Sequence, residues 1–180
     1  MKADWTVRLA RQGDIPALEQ LIRLSVRRLQ ADYYSWAQIE AALGSVFGVD
    51  RQLIHEGTYF VVQRGNEIIG CGGWSKRKTL FGSDHQTNRD ATELNPASDA
   101  ARIRAFFVHP AWVRRGIARA ILEECERAIR AADFKEIELA ATLPGVPFYA
   151  ACGYTSREQM SASLPNGLGL PIVQMTKNLL

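Results

Sequence analysis

The stretch HPAWVRRGIARAIL, residues 109–122, follows the apolar run AFFV at 105–108 and decides how the middle of this 180-residue chain folds. Apolar residues recur at three- and four-residue steps, at Ile117, Ile121, Cys125, Ala128 and Ala132. This spacing predicts an amphipathic helix that ends near Ala132. Pro110 and Gly116 indicate a turn between the apolar run and the helix. We therefore predict a strand, a turn and a helix in direct succession.

The turn that opens this helix combines features of an anion site. The first turn of a helix leaves backbone N–H groups without internal partners and carries the positive end of the helix dipole. Gly116 has no Cβ and Ala118 is small, so an anion can approach the backbone closely. Arg114, Arg115 and Arg119 add positive charge. The segment predicts a pyrophosphate site, although a plain strand-to-helix connection with solvated arginines would have the same sequence.

Two familiar phosphate motifs do not describe this segment. No Gly-Lys-Ser/Thr follows, as a P-loop requires, and one glycine stands where the dinucleotide fingerprint has three. The anion site therefore has to be judged together with the rest of the chain.

The composition is that of an ordinary globular protein, with 47% hydrophobic and 23% charged residues. A length of 180 residues suits one domain, which we place at residues 1–180. No apolar run is long enough to span a bilayer, and the N-terminus lacks the apolar core of a signal peptide. The three cysteines are odd in number and unclustered, which argues against disulfides and a metal site and favours the cytoplasm. We expect no membrane partner.

The charge distribution indicates more than the net charge of +3, which is too small to imply nucleic acid. Five arginines and no acidic residue lie between Arg102 and Arg119. A local positive field of this size favours a small polyanion. A nucleic-acid interface is the weaker alternative, because few stacking aromatics accompany the arginines and Glu123, Glu124 and Glu126 follow in the helix.

Patterning along the remaining chain predicts a mixed sheet of strands and helices. The predicted elements are, in chain order, a strand at 6–10, a helix at 15–29, a helix within 35–48 that ends near Gly44, a hairpin within 57–75 turning at Arg64-Gly65-Asn66, a strand at 102–108, the helix to Ala132, a strand at 135–141, a short helix at 145–152 closed by Gly153, and strands at 154–159 and 170–179. Asp14 and Ser35 have the chemistry of helix N-caps. Residues 76–100 are polar and patternless, which is typical of a functional or disordered loop.

A second motif, PFYAACGY at 147–154, follows the first after about thirty residues. Together the two motifs resemble the GNAT superfamily of acyl-CoA-dependent N-acyltransferases. In that superfamily a Val-x-Pro turn leads into Arg/Gln-x-x-Gly-x-Gly/Ala, whose amides hold the pyrophosphate of acetyl-CoA. Gly116 and Ala118 match this pattern, whereas Val113 stands where Arg or Gln is usual. Residues 149–154 match the superfamily's Tyr-x-x-x-Gly-Phe/Tyr.

The resemblance implies an α/β (α+β) fold: a mixed, mostly antiparallel sheet of six to seven strands, flanked by four helices, with two central strands splayed. It implies acetyl-CoA as cosubstrate, no metal, and transfer of an acetyl group to a primary amine by direct attack. The cofactor-binding residues that it implies are Phe107, Val108, Val113, Arg114, Arg115, Gly116, Ile117, Ala118, Arg119 and Thr142. Thr142 replaces an asparagine that contacts the pantetheine in many members. Dimers are frequent in the superfamily, so a homodimer is one assembly that it implies.

Tyr149 is the catalytic acid that the resemblance implies. A phenol with an ordinary pKa of about 10 is protonated at neutral pH and can protonate a departing thiolate, whose thiol has a pKa near 8.5. The competing interpretation is a packed aromatic next to Phe148. The base that neutralises the amine stays open among Glu138, Asp32 and His85.

The acceptor also stays open: a small amine, an amino acid, a peptide N-terminus or a protein lysine. By resemblance, its pocket involves the region of Tyr33, Tyr34 and Trp36, the loop 76–100 and LPNGLG at 164–169.

A non-catalytic acyl-CoA-binding module, acting as a sensor or a protein partner, is the alternative function. Val113 and Thr142 motivate it, because both depart from the superfamily pattern, whereas Tyr149 argues against it.

Overall fold

The computed structural model describes residues 4–86 and 89–180. The strands in this part of the chain are β1 Thr6–Leu9, β2 Tyr59–Arg64, β3 Glu67–Ser75, β4 Ala101–Val108, β5 Glu136–Thr142, β6 Thr155–Ser163 and β7 Gly169–Asn178. The helices are α1 Ile15–Leu29, α2 Trp36–Ala42, α3 Arg51–His55, α4 Ile117–Ala131 and α5 Val146–Ala151. Short 3₁₀ turns lie at Gln12–Asp14, Pro110–Trp112 and Leu143–Gly145.

All seven strands form one sheet in the order β1-β2-β3-β4-β5-β7-β6. Every neighbouring pair is antiparallel except β4 and β5, which are parallel. The prediction of a mixed, mostly antiparallel sheet of six to seven strands is confirmed.

Strands β4 and β5 separate soon after they meet. Only Ala101 with Ile137 and Arg102 with Glu138 form register pairs. The edge of β4 that faces β5 therefore has no ladder partner from Ile103 to Val108 among the described residues. The predicted pair of splayed central strands is confirmed at this point of the sheet.

A bulge interrupts the pairing of β4 with β3 near the splay. Arg104 lies opposite Gly73 and Phe107 opposite Cys71, so two residues of β4 face one residue of β3. Ala105 in the bulge has a φ of 56°, which is uncommon for a residue other than glycine. The bulge changes which side chains of β4 face each side of the sheet.

Neighbouring residues are shaped to hold the bulge. The Tyr59 hydroxyl, at the end of a fully buried side chain, donates to the Ala105 carbonyl oxygen at 2.7 Å. A Cβ placed on Gly72 would lie 2.5 Å from the ring of Phe106, so a larger residue there would displace that ring. The bulge is thus fixed by a buried hydrogen bond and by close contact between strands.

The helices cover both faces of the sheet with separate cores. On one face, α1, α2 and α3 bury residues such as Leu18, Ile22 and Leu53. On the other, α4 packs with Ile121 and Ile129. Since α1 and α4 bury their apolar stripes on opposite faces, a gap in the sheet between β4 and β5 connects the two sides of the molecule.

Several predicted helix and strand ends need correction. The part of the chain that the structure describes has five helices instead of four, because α3 is a five-residue helix too short to show periodicity. Helix α2 ends at Ala42, before Gly44, and β6 extends to Ser163 instead of ending at 159. Ser35 caps α2 as predicted, accepting from the Gln38 N–H at 3.1 Å.

Asp14 stands at the predicted position but does not cap α1. Its carboxylate accepts hydrogen bonds from the Arg8 guanidinium and from the Arg11 N–H. The carboxylate therefore closes the 3₁₀ turn that precedes α1 instead of the helix itself.

In the polar segment 76–100, the described residues 76–86 and 89–100 are more ordered than the sequence indicates. The Lys78 N–H donates to the Thr92 carbonyl at 3.0 Å and the Thr79 N–H to the Asp90 carbonyl at 3.1 Å. The Leu94 N–H donates to the Lys76 carbonyl at 2.7 Å. An irregular antiparallel ladder therefore ties both ends of the segment together, without the alternating side chains that would reveal it.

Candidate active site

A cavity of about 760 Å³ lies where β4 and β5 separate. Its lining residues come from both faces of the sheet. Those from segments 106–119 and 139–151 form what we call the α4 half. Those from segments 25–33, 46–47, 80–82 and 104–105 form what we call the α1 half. One cavity is thus lined by residues from both sides of the sheet.

The turn before α4 begins with His109, whose Nδ1 accepts from the Ala111 N–H at 3.1 Å and whose carbonyl accepts from the Trp112 N–H at 2.8 Å. The chain then reverses through Arg114, with a φ of 62°, and Gly116, with a φ of 83°. A Cβ on Gly116 would have no atom within 4 Å. The glycine is therefore required by its backbone conformation, and the space beside it is open.

The backbone of this turn presents a row of unpaired donors. Among the described residues, none of the N–H groups of residues 113–119 donates a hydrogen bond to another protein group. The first such bond is from the Ala120 N–H to the Gly116 carbonyl, at 2.9 Å. The opening of a helix leaves about four N–H groups free, so the turn itself contributes the rest. These donors and the dipole of a 15-residue helix give the geometry that an anion needs.

The arginines near this row have different roles. Arg114 and Arg119 line the α4 half. Arg115 does not: its guanidinium lies over the Trp112 ring at 4.8 Å, and Arg64 lies over the same ring at 4.9 Å. The structure therefore places the Arg115 side chain in a stack on Trp112 outside the cavity lining, whereas its backbone N–H belongs to the row of unpaired donors.

The remaining predicted cofactor residues all line the cavity: Phe107, Val108, Val113, Gly116, Ile117, Ala118 and Thr142. Two of them can offer only backbone groups. The Ile117 side chain is 1% exposed within the core under α4, and the Phe107 ring packs edge-on against Phe47 in the core under α1.

Tyr149 lines the α4 half with its side chain held between other rings. Phe106, Phe148 and Tyr154 pack against it edge-on, with ring centroids 6.2, 5.0 and 5.6 Å away. These contacts fix the direction of the phenol. Burial raises the pKa of Tyr149 well above its ordinary value, so the hydroxyl keeps its proton at neutral pH.

The Tyr149 hydroxyl has no hydrogen-bond partner among residues 4–86 and 89–180, in contrast to three other tyrosines. Tyr34 donates to the Pro171 carbonyl, Tyr59 to the Ala105 carbonyl and Tyr154 to Glu126 Oε1, at 2.7, 2.7 and 3.1 Å. Those three hydroxyls serve the fold. The hydroxyl of Tyr149 is left for whatever enters the cavity.

The three residues considered as bases are not placed to act. Glu138 accepts hydrogen bonds from Arg102 and Gln174, so it is committed to the sheet. Asp32 and His85 do not belong to the cavity lining. The predicted acceptor region is also only partly present there: Tyr33 and residues 80–82 line the cavity, whereas Tyr34 is tied to the fold and Trp36 is exposed.

Sequence reasoning missed the polar residues of the α1 half. Arg104 is 4% exposed and lines the cavity, with Nη2 2.9 Å from Asp50 Oδ2. Gln30 and Ser25 are buried residues of the same wall. One signal was available in the sequence, an arginine at 104 inside the otherwise apolar run IRAFFV, where a buried strand would place an apolar residue.

No helix in residues 4–86 and 89–180 is long and apolar enough to cross a membrane. Within the same residues, no three His, Cys, Asp or Glu side chains are grouped as metal ligands.

Comparison with known proteins agrees with this architecture. A sequence model of the acetyltransferase (GNAT) family matches residues 19–154. The chain belongs to this family. A search of curated proteins finds no significant match.

Solved structures of GNAT proteins share the fold. A GCN5-related N-acetyltransferase from Rhodopseudomonas palustris is 21% identical, with a TM-score of 0.71 over 97% of this chain and 95% of that one. PaiA N-acetyltransferase from Thermoplasma acidophilum, solved with coenzyme A, is 14% identical, with a TM-score of 0.65 over 97% and 98%. YncA from Salmonella typhimurium, a putative acetyltransferase solved with acetyl-CoA, is 16% identical, with a TM-score of 0.63 over 99% and 95%.

Proposed function

We propose that this protein transfers an acetyl group from acetyl-CoA to a primary amine by direct attack. One observation carries the proposal. The turn with unpaired N–H groups at 113–119, apart from Arg115, lines the same cavity as Tyr149, whose hydroxyl has no hydrogen-bond partner in the described part of the chain. An anion-binding turn alone would indicate a binding module, whereas the free phenol beside it supplies a proton donor for chemistry.

The residues of the α4 half fit the parts of acetyl-CoA. The N–H row, with Arg114 and Arg119 beside it, would hold the diphosphate. The unpaired edge of β4 would pair with the amide groups of the pantetheine, as an added strand does. The coenzyme A and acetyl-CoA in the Thermoplasma and Salmonella structures support this assignment.

Acetyl-CoA supplies an activated thioester. The amine nitrogen forms a bond to its carbonyl carbon, and the carbon–sulfur bond breaks. Tyr149 gives its hydroxyl proton to the departing sulfur, and the proton that the amine loses returns to the phenolate through water. Burial makes Tyr149 a weaker acid than an exposed tyrosine. The same burial disfavours the charged thiolate, so the departing sulfur is a stronger base and takes the proton more readily. The phenol therefore donates a hydrogen bond to the sulfur while the carbon–sulfur bond breaks, and its proton is transferred to the sulfur.

The test compares two tyrosine variants. Tyr149→Phe should lower kcat by about 10²- to 10⁴-fold, the usual contribution of an acid catalyst, while calorimetric affinity for acetyl-CoA stays within twofold of wild type. Tyr154→Phe is the matched control: it removes a hydroxyl that is bonded to Glu126 and lies outside the cavity lining. It should lower stability and leave kcat unchanged. Thiol release from acetyl-CoA across a panel of amines gives the rates.

Two outcomes would contradict the proposal. Unchanged turnover in Tyr149→Phe would remove the phenol from catalysis. Binding of acetyl-CoA without thiol release for any amine would instead indicate a sensor.

We also propose that the protein acts in the reducing cytoplasm, which the unpaired thiols of Cys71, Cys125 and Cys152 support.

A further inference from the structure

Arg104 is the most deeply buried charged group that lines the cavity. Its side chain is 2% exposed, and its Nη2 donates to the Gly82 carbonyl and lies 2.9 Å from Asp50 Oδ2. Asp50 is fully buried and also accepts from Arg89 Nη2 at 3.1 Å. The arginine is thus held in one position by rigid partners, in the wall of the α1 half.

Unpaired polar atoms concentrate in this wall. Four buried side-chain atoms lack a hydrogen-bond partner in the described part of the chain, and two of them belong to cavity-lining residues, Arg104 Nε and Gln30 Oε1. The other two, on Glu56 and Trp74, lie outside the cavity lining. A buried donor or acceptor without a partner is costly. Two of the four belong to residues of the same cavity wall, so the protein leaves polar groups of the α1 half unsatisfied.

Arg104 brings a positive charge to the cavity from a cluster of charged residues. Two arginines, Arg104 and Arg89, share the one buried carboxylate of Asp50. Asp84, 3.5 Å from Arg89, is a quarter exposed and also faces Arg51 at the surface. Of these five residues Arg104 lines the cavity and the other four do not, so a ligand there would meet a positive charge. Burial lowers the pKa of Arg104, yet a guanidinium stays charged at neutral pH.

We propose that the α1 half binds a carboxylate of the acceptor, and that the acceptor is a primary amine carrying a carboxylate close to it, as free amino acids do. This inference rests on the proposed acetyl transfer. Arg104 would receive the carboxylate, and the Gln30 amide would contact another polar group of the same molecule. The apolar side chains of Leu29, Val46, Phe47, Leu80 and Phe81 line the same half and would accommodate an apolar side chain.

The first test uses the wild-type protein and pairs of amines that differ only in charge. L-phenylalanine is compared with L-phenylalanine amide and phenethylamine, and L-leucine with L-leucine amide, by thiol release from acetyl-CoA. We expect kcat/KM to be at least tenfold higher for the acid than for its amide. Without a carboxylate site the amide should react faster than the acid, because a carboxylate raises the pKa of the nearby amine and leaves less of that amine neutral. An amide that reacts as well as its acid would overturn the proposal.

The second test changes the arginine. Arg104→Lys keeps the charge but shortens its reach, and it should raise KM for L-phenylalanine at least tenfold while leaving phenethylamine unaffected. Arg102→Lys is the matched control, since Arg102 is on the same strand, pairs with Glu138 and does not line the cavity. It should leave both amines unaffected. Equal losses for both amines in Arg104→Lys would mean that Arg104 only supports the fold.

A binding measurement separates this inference from acetyl transfer itself. Protein saturated with coenzyme A is titrated by calorimetry with N-acetyl-L-phenylalanine and with N-acetyl-L-phenylalanine amide. Tighter binding of the acid, lost in Arg104→Lys, supports the carboxylate site even if no amine is acetylated, in which case only the proposed function fails. Equal affinity for the two compounds contradicts the carboxylate site, whatever the turnover.

Discussion

The two halves of the cavity are built in opposite ways. The α4 half comes from two segments close in sequence, 106–119 and 139–151, and its donors are backbone N–H groups. The α1 half comes from four separate segments, and its polar groups are buried side chains, among them Arg104, which pairs with Asp50 outside the cavity lining. Almost any residue can supply a backbone N–H donor, whereas a buried ion pair is formed only by particular charged side chains. This contrast predicts that the two halves respond differently to substitution.

The largest effect is expected in the α1 half. Asp50→Ala would leave Arg104 and Arg89 buried without their shared carboxylate, and breaking a buried pair costs about 3–5 kcal/mol. We expect this loss in the free energy of unfolding measured with urea. The control is Glu40→Ala, which breaks an exposed, solvent-screened pair with Arg27 and should change the free energy of unfolding far less than Asp50→Ala does. Similar small losses in both variants would mean that the buried pair does not stabilise the fold.

An intermediate effect is expected in the α4 half, where Gly116→Ala adds a Cβ beside the N–H row. Its φ of 83° imposes a cost of about 1–2 kcal/mol on any other residue. Gly57→Ala is the matched control, with a φ of 70°, open space around its Cβ and no place in the cavity lining. Both should lose similar stability, but only Gly116→Ala should weaken coenzyme A binding, by about tenfold or 1.4 kcal/mol. Unchanged affinity would show that the diphosphate binds elsewhere.

The smallest effect concerns a pair outside both halves. The Arg8 guanidinium, bonded to Asp14, lowers the pKa of that carboxyl below its ordinary 3.8. A lowered pKa in the folded state contributes stability above the ordinary value, and this contribution is lost as the pH falls through the folded-state pKa. Because the pair is partly exposed, we expect less than about 1 kcal/mol. Wild type should lose more stability than Asp14→Asn between pH 6 and pH 3, with coenzyme A affinity at neutral pH equal in both.

Local signals account for the parts of the fold that were predicted well. The hairpin turn at Gly65, the capping of α2 by Ser35 and the periodicity of α4 each involve residues within a few positions of one another. The same holds for the turn at Gly116, where positive φ and free N–H groups follow from the local chain. Helix α3 and the ladder within 76–100 were missed because short elements with irregular partners leave no periodic pattern.

The candidate site shows the same division between features that local sequence predicts and features that tertiary contacts decide. The motif at 109–122 predicted a site at the start of α4, and the motif at 147–154 predicted a functional Tyr149. The structure places residues of both motifs in the lining of one cavity. The predicted role of Arg115 was not supported by its position, because stacking on Trp112 depends on how the turn folds in three dimensions. Similarly, Glu138 was an open candidate for the base until its contacts with Arg102 and Gln174 tied it to the sheet.

By itself, the sequence determined the order of strands and helices, the glycine-containing turn before α4 and the family, because each depends on residues near one another in the chain. Only the tertiary structure decided which tyrosine hydroxyl is free, which arginine is buried, and that the gap between β4 and β5 joins two faces of the sheet. The physical reason is that burial and unpaired hydrogen-bonding groups arise when distant segments pack together. Asp50, Gly82 and Arg104 meet only in the folded chain.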